Sequence, residues 1–132
     1  MKRLLAGLLS GLLLGTVFAV PATAAGENPA PTVLPAICEW QGGSGRFVAE
    51  ERITLVNPND SPAVEKVQGY FHDMLSMEAE IVASGESGVI FQKDDSLLET
   101  VGEEGYTLDA TETKILIKAA TDVGLLYGGI TV

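Results

Sequence analysis

The spacing of the apolar residues changes near residue 78, and this change constrains the possible folds more than any other feature of the sequence. Between Ser61 and Met77 the apolar residues recur every three or four positions, as in a helix with one buried face. Ser61 is a suitable cap for this helix, and Pro62 suits its first position. Phe71 is expected at the centre of the buried stripe and His72 on the solvated side. The stripe comprises Val64, Val67, Phe71, Met74 and Leu75, with Ala63 and Tyr70 at its edges.

Beyond the helix the apolar residues alternate with polar ones, which predicts strands. The inward series are Ala79, Ile81 and Ala83; Val89 and Phe91; Tyr106, Leu108 and Ala110; and Ile115, Ile117 and Ala119. Before the helix, Phe47-Val48 and Ile53 to Val56 are two further strand candidates, and a helix is predicted from Thr121 onward. The order of two strands, a helix, about four strands and a helix predicts an α+β fold. We expect a single small sheet with helices packed on one face.

The N-terminus has the composition of a secretory signal peptide. Lys2 and Arg3 precede a leucine-rich run from Leu4 to Val20, and small residues follow at 22–25. This order predicts a signal peptide over residues 1–24 and therefore a secreted, periplasmic or extracellular protein. Residues 25–32 are polar and proline-rich and read as a tether, so the globular domain is predicted over 33–132.

Charge and cysteine content exclude several classes of function. The sequence has eight basic and 18 acidic residues, and loss of Lys2 and Arg3 with the signal peptide leaves six basic ones. This acidity argues against nucleic acid and anionic membrane surfaces as partners. Cys38 is the single cysteine, so no internal disulfide can form. We expect it to be a small, half-buried apolar residue.

The residues themselves predict no active site, no metal and no cofactor. The acidic doublets Glu50-Glu51, Asp94-Asp95 and Glu103-Glu104 lie beside turns, where nothing would desolvate one carboxylate and not its neighbour. The Gly42–Gly45 stretch leads into a predicted strand, whereas a phosphate loop would lead into a helix. Trp40, Tyr70, Tyr106 and Tyr127, which could stack on sugars, are spread over different elements, and packing roles are expected for them.

Two stretches resemble the N-terminal domain of bacterial β-N-acetylhexosaminidases of glycoside hydrolase family 20. The first is LPAICEW, Leu34 to Trp40, followed by GSGRF, Gly43 to Phe47. The second is EGYTL, Glu104 to Leu108, followed by ILIKAAT, Ile115 to Thr121, and by GLLYG, Gly124 to Gly128. The similarity extends over about 33–132.

The resemblance implies a non-catalytic α+β domain that precedes a (β/α)₈ barrel and buttresses it. The helix from Thr121 would lead into that barrel, which is the expected partner and would carry the glycan site. In this family the catalytic pair is an adjacent Asp-Glu inside the barrel. No such dipeptide occurs in the 132 residues, so no catalytic residue is assigned, and we expect the chain to be the front piece of a longer enzyme.

Two alternatives stay open at this point. The chain could be a stand-alone secreted module that binds carbohydrate or protein, or the accessory domain of another barrel glycosidase, since similar domains precede the α-glucuronidase and O-GlcNAcase barrels. The last helix bears on the choice. Val123, Leu126, Tyr127 and Ile130 form an apolar stripe, and Gly124 and Gly128 permit close approach of a neighbour. Three interior glycines cost about 1 kcal/mol each relative to alanine, so this helix needs tertiary contacts.

Overall fold

The computed structural model describes residues 28–33 and 36–132, and the predicted signal peptide, residues 1–24, lies outside this part. Five strands and three helices follow one another along the described chain. The strands are β1 (Arg52–Val56), β2 (Glu78–Val82), β3 (Gly88–Lys93), β4 (Thr107–Ala110) and β5 (Lys114–Ala119). The helices are α1 (Pro62–Leu75), α2 (Leu98–Val101) and α3 (Asp122–Thr131), with a 3₁₀ turn at Asp95–Leu97 before α2.

The five strands form one mixed sheet in the order β2-β1-β3-β5-β4. The first four of these are mutually parallel, and β4 runs antiparallel to β5 at the edge. Parallel neighbours need a crossover, and α1 supplies the one between β1 and β2. The predicted α+β architecture, with a single small sheet and helices on one face, is confirmed.

The predicted signals at the start of α1 are confirmed. Ser61 adopts an extended backbone, and its Oγ accepts a hydrogen bond from the Ala63 N–H, while Pro62 takes the first helical position. At the other end Ser76 adopts a left-handed conformation with φ of 53°, which terminates the helix. The helix therefore begins and ends where local chemistry requires.

The core lies between α1, α3 and one face of the sheet. Alternate residues of β1, β3 and β5 point into it, and α1 contributes its stripe from Ala63 to Phe71. Phe71 is 2% exposed and His72 lies on the solvated side, as predicted. The core residues are Ile53, Leu55, Ala63, Val64, Val67, Phe71, Val89, Phe91, Ile115, Ile117, Ala119 and Leu125.

Five expectations from the sequence are wrong in detail. Residues 47–48 do not form a strand, because no neighbouring strand pairs with them, although the Phe47 side chain still packs on the core. Met74 and Leu75, in the last turn of α1, are 68% and 50% exposed, and Leu75 lines an open cleft. Cys38 is exposed instead of half-buried. On the edge strand β4, Leu108 shares the face of Ile117 but remains 36% exposed, and Ala110 is exposed as well. Ala83, expected on the inward face of β2, is exposed and follows the end of that strand.

Candidate functional site

A hydrogen-bonded network joins the starts of the two long helices. It lies where β1 and β3 end, beside the first residues of α1 and α3. Asn57 accepts a bond from the Ser61 N–H at 2.9 Å and donates one to the Ser61 carbonyl at 3.0 Å. The Ser61 hydroxyl in turn donates to Asp122 Oδ1 at 2.6 Å. One residue thus caps α1 and also contacts the first turn of α3.

Lys93 and Asn59 extend the network. Lys93 Nζ lies 3.3 Å from Asp122 Oδ1, and the Lys93 N–H donates to Asn59 Oδ1 at 3.0 Å. We refer to Asn57, Asn59, Ser61, Lys93 and Asp122 as the helix-start network. The Ser61 hydroxyl, and secondarily the Lys93 ammonium, hold the pKa of Asp122 below its usual value against a smaller effect of burial.

The chemistry of this network is that of a structural clasp. A carboxyl group with a lowered pKa is ionised near neutral pH and has no proton to give as a general acid. The Ser61 hydroxyl donates to a carboxylate, and its described hydrogen bonds include no base that could accept its proton for nucleophilic attack. The Asp122 carboxylate also lies in the first turn of α3, where a negative charge stabilises a helix.

The acidic doublets stand on three separate loops. Glu50-Glu51 immediately precedes β1, Asp94-Asp95 follows β3, and Glu103-Glu104 lies between α2 and β4. Asp94 caps the 3₁₀ turn, and its bond with the Ser96 hydroxyl lowers its pKa. The described residues contain no group of three His, Cys, Asp or Glu side chains that could hold a metal ion.

The other residues singled out from the sequence are also dispersed. Trp40 is 47% exposed, and its ring N–H donates to the carbonyl of Asn28, whose own N–H and amide bind the carbonyls of Gly43 and Gly45. The glycine-rich stretch is therefore a loop fastened to Asn28. Tyr70 packs beside Phe71 on α1. The four aromatic residues considered for sugar stacking lie in the segment before β1, on α1, beside β4 and on α3.

His72 remains on the exposed side of α1. Its ring nitrogen lies 2.9 Å from the Asp73 carboxylate, and this contact raises the pKa of His72, with a further contribution from Glu78. Neither residue of the pair lies near the helix-start network in the described contacts.

No helix in the described part of the chain is long and apolar enough to cross a membrane.

α3 divides into a glycine face and an apolar face. Gly124, Gly128 and Gly129 are buried together with Leu125. A Cβ added at Gly124 would lie 2.5 Å from the Gly105 carbonyl oxygen, and one at Gly128 would lie 2.4 Å from Ile117 Cγ2. The close approach that the sequence predicts for these glycines is confirmed, and its partners are β5 and the segment before β4.

The opposite face of α3 carries a row of exposed apolar side chains. Val123, Tyr127 and Ile130 are 44%, 41% and 41% exposed, at positions that share one side of a helix. We refer to these three residues as the α3 ridge. Leu126, expected in the same stripe, packs partly against the core. The ridge is held at its end by Thr131, whose hydroxyl donates to the Tyr127 carbonyl at 2.9 Å and bonds the Tyr106 hydroxyl at 2.6 Å.

An apolar cleft extends this surface toward the end of α1. Val132, 40% exposed, follows the ridge and lines the cleft together with Phe47, Leu75 and Met77. Exposed apolar residues scattered singly are ordinary on a protein surface, whereas a contiguous patch marks a contact surface. The ridge and the cleft are therefore the candidate functional surface of the described residues.

Sequence reasoning found the apolar stripe but missed the helix-start network. The network joins residues that are 61 positions apart, Ser61 and Asp122, and no spacing rule relates them. The available signals were local: Asn57 and Asn59 in a turn, Ser61 before a proline, and Asp122 after Thr121. Each predicts a cap or a turn, and only the parallel pairing of β1, β3 and β5 brings them together.

Comparison with known proteins identifies the domain. The family model described as glycosyl hydrolase family 20, domain 2, matches residues 30–132. In hexosaminidases this domain is the non-catalytic one that precedes the catalytic barrel. No curated protein sequence matches the chain.

Solved structures have the same fold. The N-acetyl-β-hexosaminidase of Streptomyces plicatus is 23% identical with a TM-score of 0.63, and that of Streptomyces coelicolor A3(2) is 24% identical with a TM-score of 0.62. Each alignment covers 80% of this chain and 21% of the other. The exo-β-N-acetylglucosaminidase of Vibrio harveyi aligns over 66% of this chain and 13% of its own, with 17% identity and a TM-score of 0.55. The chain thus spans about a fifth or less of the enzymes it resembles. Because the family model matches the greater part of its length, the chain belongs to glycosyl hydrolase family 20, as domain 2 of that family.

Proposed function

We propose that this chain is the non-catalytic domain of an exported β-N-acetylhexosaminidase and that it supports the catalytic barrel through the α3 ridge. The observation that carries the proposal is the row of Val123, Tyr127 and Ile130, each more than 40% exposed on a helix whose other face is buried. Water contact with such a row is unfavourable by roughly 25 cal/mol per Å² of apolar surface. A packed neighbour would remove this cost.

The family assignment supports the catalytic barrel as that neighbour. Domain 2 precedes a barrel in hexosaminidases, and the solved relatives are named for action on N-acetylhexosaminides. The glycan would bind in the barrel, and this domain would keep the barrel in position without contacting the substrate. The Lys2-Arg3 pair, the leucine-rich run and the small residues at 22–25 support export through a signal peptide.

The interface is tested in the enzyme that contains this domain and its barrel. Tyr127→Glu and Ile130→Glu place a charge in the proposed contact, whereas Val48→Glu places one on an apolar residue that is 67% exposed and lies outside the ridge. We expect each ridge variant to lower the melting temperature of the enzyme and to shorten the half-life of its activity toward a chromogenic N-acetylglucosaminide. The Val48 variant should match the wild type.

Two further measurements make this test decisive. The circular dichroism of the 132-residue chain should be the same for the ridge variants as for the wild type, because these side chains are exposed. The chain alone should not hydrolyse the chromogenic substrate. Ridge variants as stable and as active as the Val48 variant would contradict the proposed contact, and activity that copurifies with the chain would contradict the non-catalytic role.

A further inference from the structure

Asp122 is the one charged residue of α3 and lies in its first turn. Within the part of the chain that the structure describes, the side-chain hydrogen bond between α3 and the start of α1 is that of Asp122 with the Ser61 hydroxyl, 2.6 Å long. Lys93, from the end of β3, lies 3.3 Å from the same oxygen. The carboxylate therefore connects three elements that are distant in sequence.

We propose that the Asp122 carboxylate is a positioning group that fixes the start of α3, and with it the α3 ridge, against α1, and that protonation of this carboxylate releases the start of α3 while α1 stays in place. This proposal rests on the proposed function in one respect, which is that the ridge is a docking surface for the barrel. Release of the helix itself can be measured without a barrel.

The groups that face Asp122 come from every element packed on the start of α3. β3 contributes the cation of Lys93, and α1 contributes the neutral hydroxyl of Ser61. β5 presents the methyl group of Ala119 to Gly124. The preceding segment contributes Thr121, whose hydroxyl donates to the Glu103 backbone carbonyl and accepts the Gly124 N–H. The charged group acting on Asp122 is thus a single lysine.

Acid acts on this contact in a defined direction. The Ser61 hydroxyl and Lys93 lower the pKa of Asp122 in the folded state, so the carboxylate contributes stability above the ordinary aspartate range. That contribution is lost as the pH falls through the lowered folded value. A protonated carboxyl group accepts the Ser61 hydroxyl poorly and has no charge to attract Lys93.

The two helices respond differently because their other supports differ. α1 keeps its own cap and the two bonds of Asn57 to Ser61, and it buries Val67 and Phe71 in the core. α3 keeps the Thr121 cap, one buried core side chain in its first half, Leu125, and the Tyr106–Thr131 bond, which lies at its far end. Its three glycines make it the weaker helix. Its first turn is therefore the part that Asp122 controls.

Hydrogen exchange of the full chain tests the proposal. The chain is expressed with its own N-terminal sequence in a cell that exports proteins. Protection is measured between pH 6 and 2.5 and corrected for the intrinsic exchange rate at each pH. We expect protection of residues 122–126 to fall relative to that of 64–71 by on the order of tenfold as the pH drops below about 4, as for loss of one hydrogen bond to a charged group. A parallel loss of protection in both helices would overturn the proposal.

Substitutions separate this pH response from a purely structural effect. Asp122→Asn retains an acceptor for Ser61 but cannot titrate, so the relative pH step should disappear. Lys93→Met should move the step to higher pH, because the cation that lowers the Asp122 pKa is gone. Asp109→Asn, on exposed β4, and Lys118→Met, whose charge acts on Asp94, should keep the wild-type profile.

These variants also keep the proposal falsifiable if one of them does not fold. A step that persists in Asp122→Asn, or one that Lys93→Met leaves at its original pH, would show that another group controls α3. If Asp122→Asn is unfolded, the position of the step in Lys93→Met decides the question. None of these results depends on the barrel. The proposed function can therefore fail while the acid response is confirmed, and the acid response can fail while the proposed function is confirmed.

Discussion

Gly129 lies at the most crowded point of α3, and its replacement by alanine tests how the helix is packed. A Cβ at this position would lie 2.4 Å from Val67 Cγ2 and 3.0 Å from Phe91 Cε1, whereas ordinary contact begins at 3.4 Å. Both neighbours are fully buried, with 0% exposure. The new methyl group would therefore have to displace α1 or β3 by about 1 Å, in a close-packed interior that resists it.

Two opposing effects determine the stability of Gly129→Ala. Alanine in a helix interior is favoured over glycine by about 1 kcal/mol. Overpacking a rigid core costs about 1–3 kcal/mol, and a contact this short belongs in the upper part of that range. The net effect is a loss of about 1–2 kcal/mol in the free energy of unfolding. For a domain of this size that loss lowers the melting temperature by about 5–10 °C.

Gly69 supplies the matched control for this prediction. It lies on the exposed side of α1, and a Cβ there would meet nothing within 4 Å. Gly69→Ala should therefore show only the propensity effect and gain up to about 1 kcal/mol. Thermal and urea unfolding of both variants would give opposite signs. A Gly129→Ala protein at least as stable as the wild type would refute the packing of α3 described above.

Two further substitutions test the core and the helix-start network. Phe71→Ala should lower the free energy of unfolding by about 3–5 kcal/mol, since the side chain is 2% exposed. His72→Ala should lower it by about 0.5 kcal/mol or less. Similar urea midpoints for this pair would show that the register of α1 is wrong. Asn57→Ala removes both bonds to Ser61 and should cost about 1–3 kcal/mol by the same assay, because the backbone groups it leaves are buried. Unchanged stability would show that water or a neighbouring group replaces the amide.

The sequence predicts those elements whose signals are local. The Ser61 cap, the Pro62 start and the stripe from Val64 to Phe71 each lie within a few residues, so α1 could be placed almost to its ends. The alternation at Ile115, Ile117 and Ala119 likewise predicts the inward face of β5. One sheet with helices on one face follows from the order of such elements.

The features that the sequence could not supply depend on pairing over long distances. Phe47 and Val48 have the composition of a strand, but a strand exists only where another strand pairs with it, and none does. Strand direction was not predicted either, because alternation is the same in parallel and antiparallel strands. The contact of Ser61 with Asp122 follows from that direction, since parallel β1 and β5 place the helix starts at one edge of the sheet.

The last helix shows how packing assigns the two faces that composition leaves ambiguous. The apolar residues of α3 could form more than one buried stripe. They are Val123, Leu125, Leu126, Tyr127 and Ile130. The glycines decide between them, because only the side that carries Gly124, Gly128 and Gly129 can approach β5 and α1 closely enough to exclude water. Leu125 is buried on that side, whereas Val123, Tyr127 and Ile130 are directed outward and form the α3 ridge. The same residues that allow α3 to pack on its own domain therefore create the apolar surface that we propose meets the barrel.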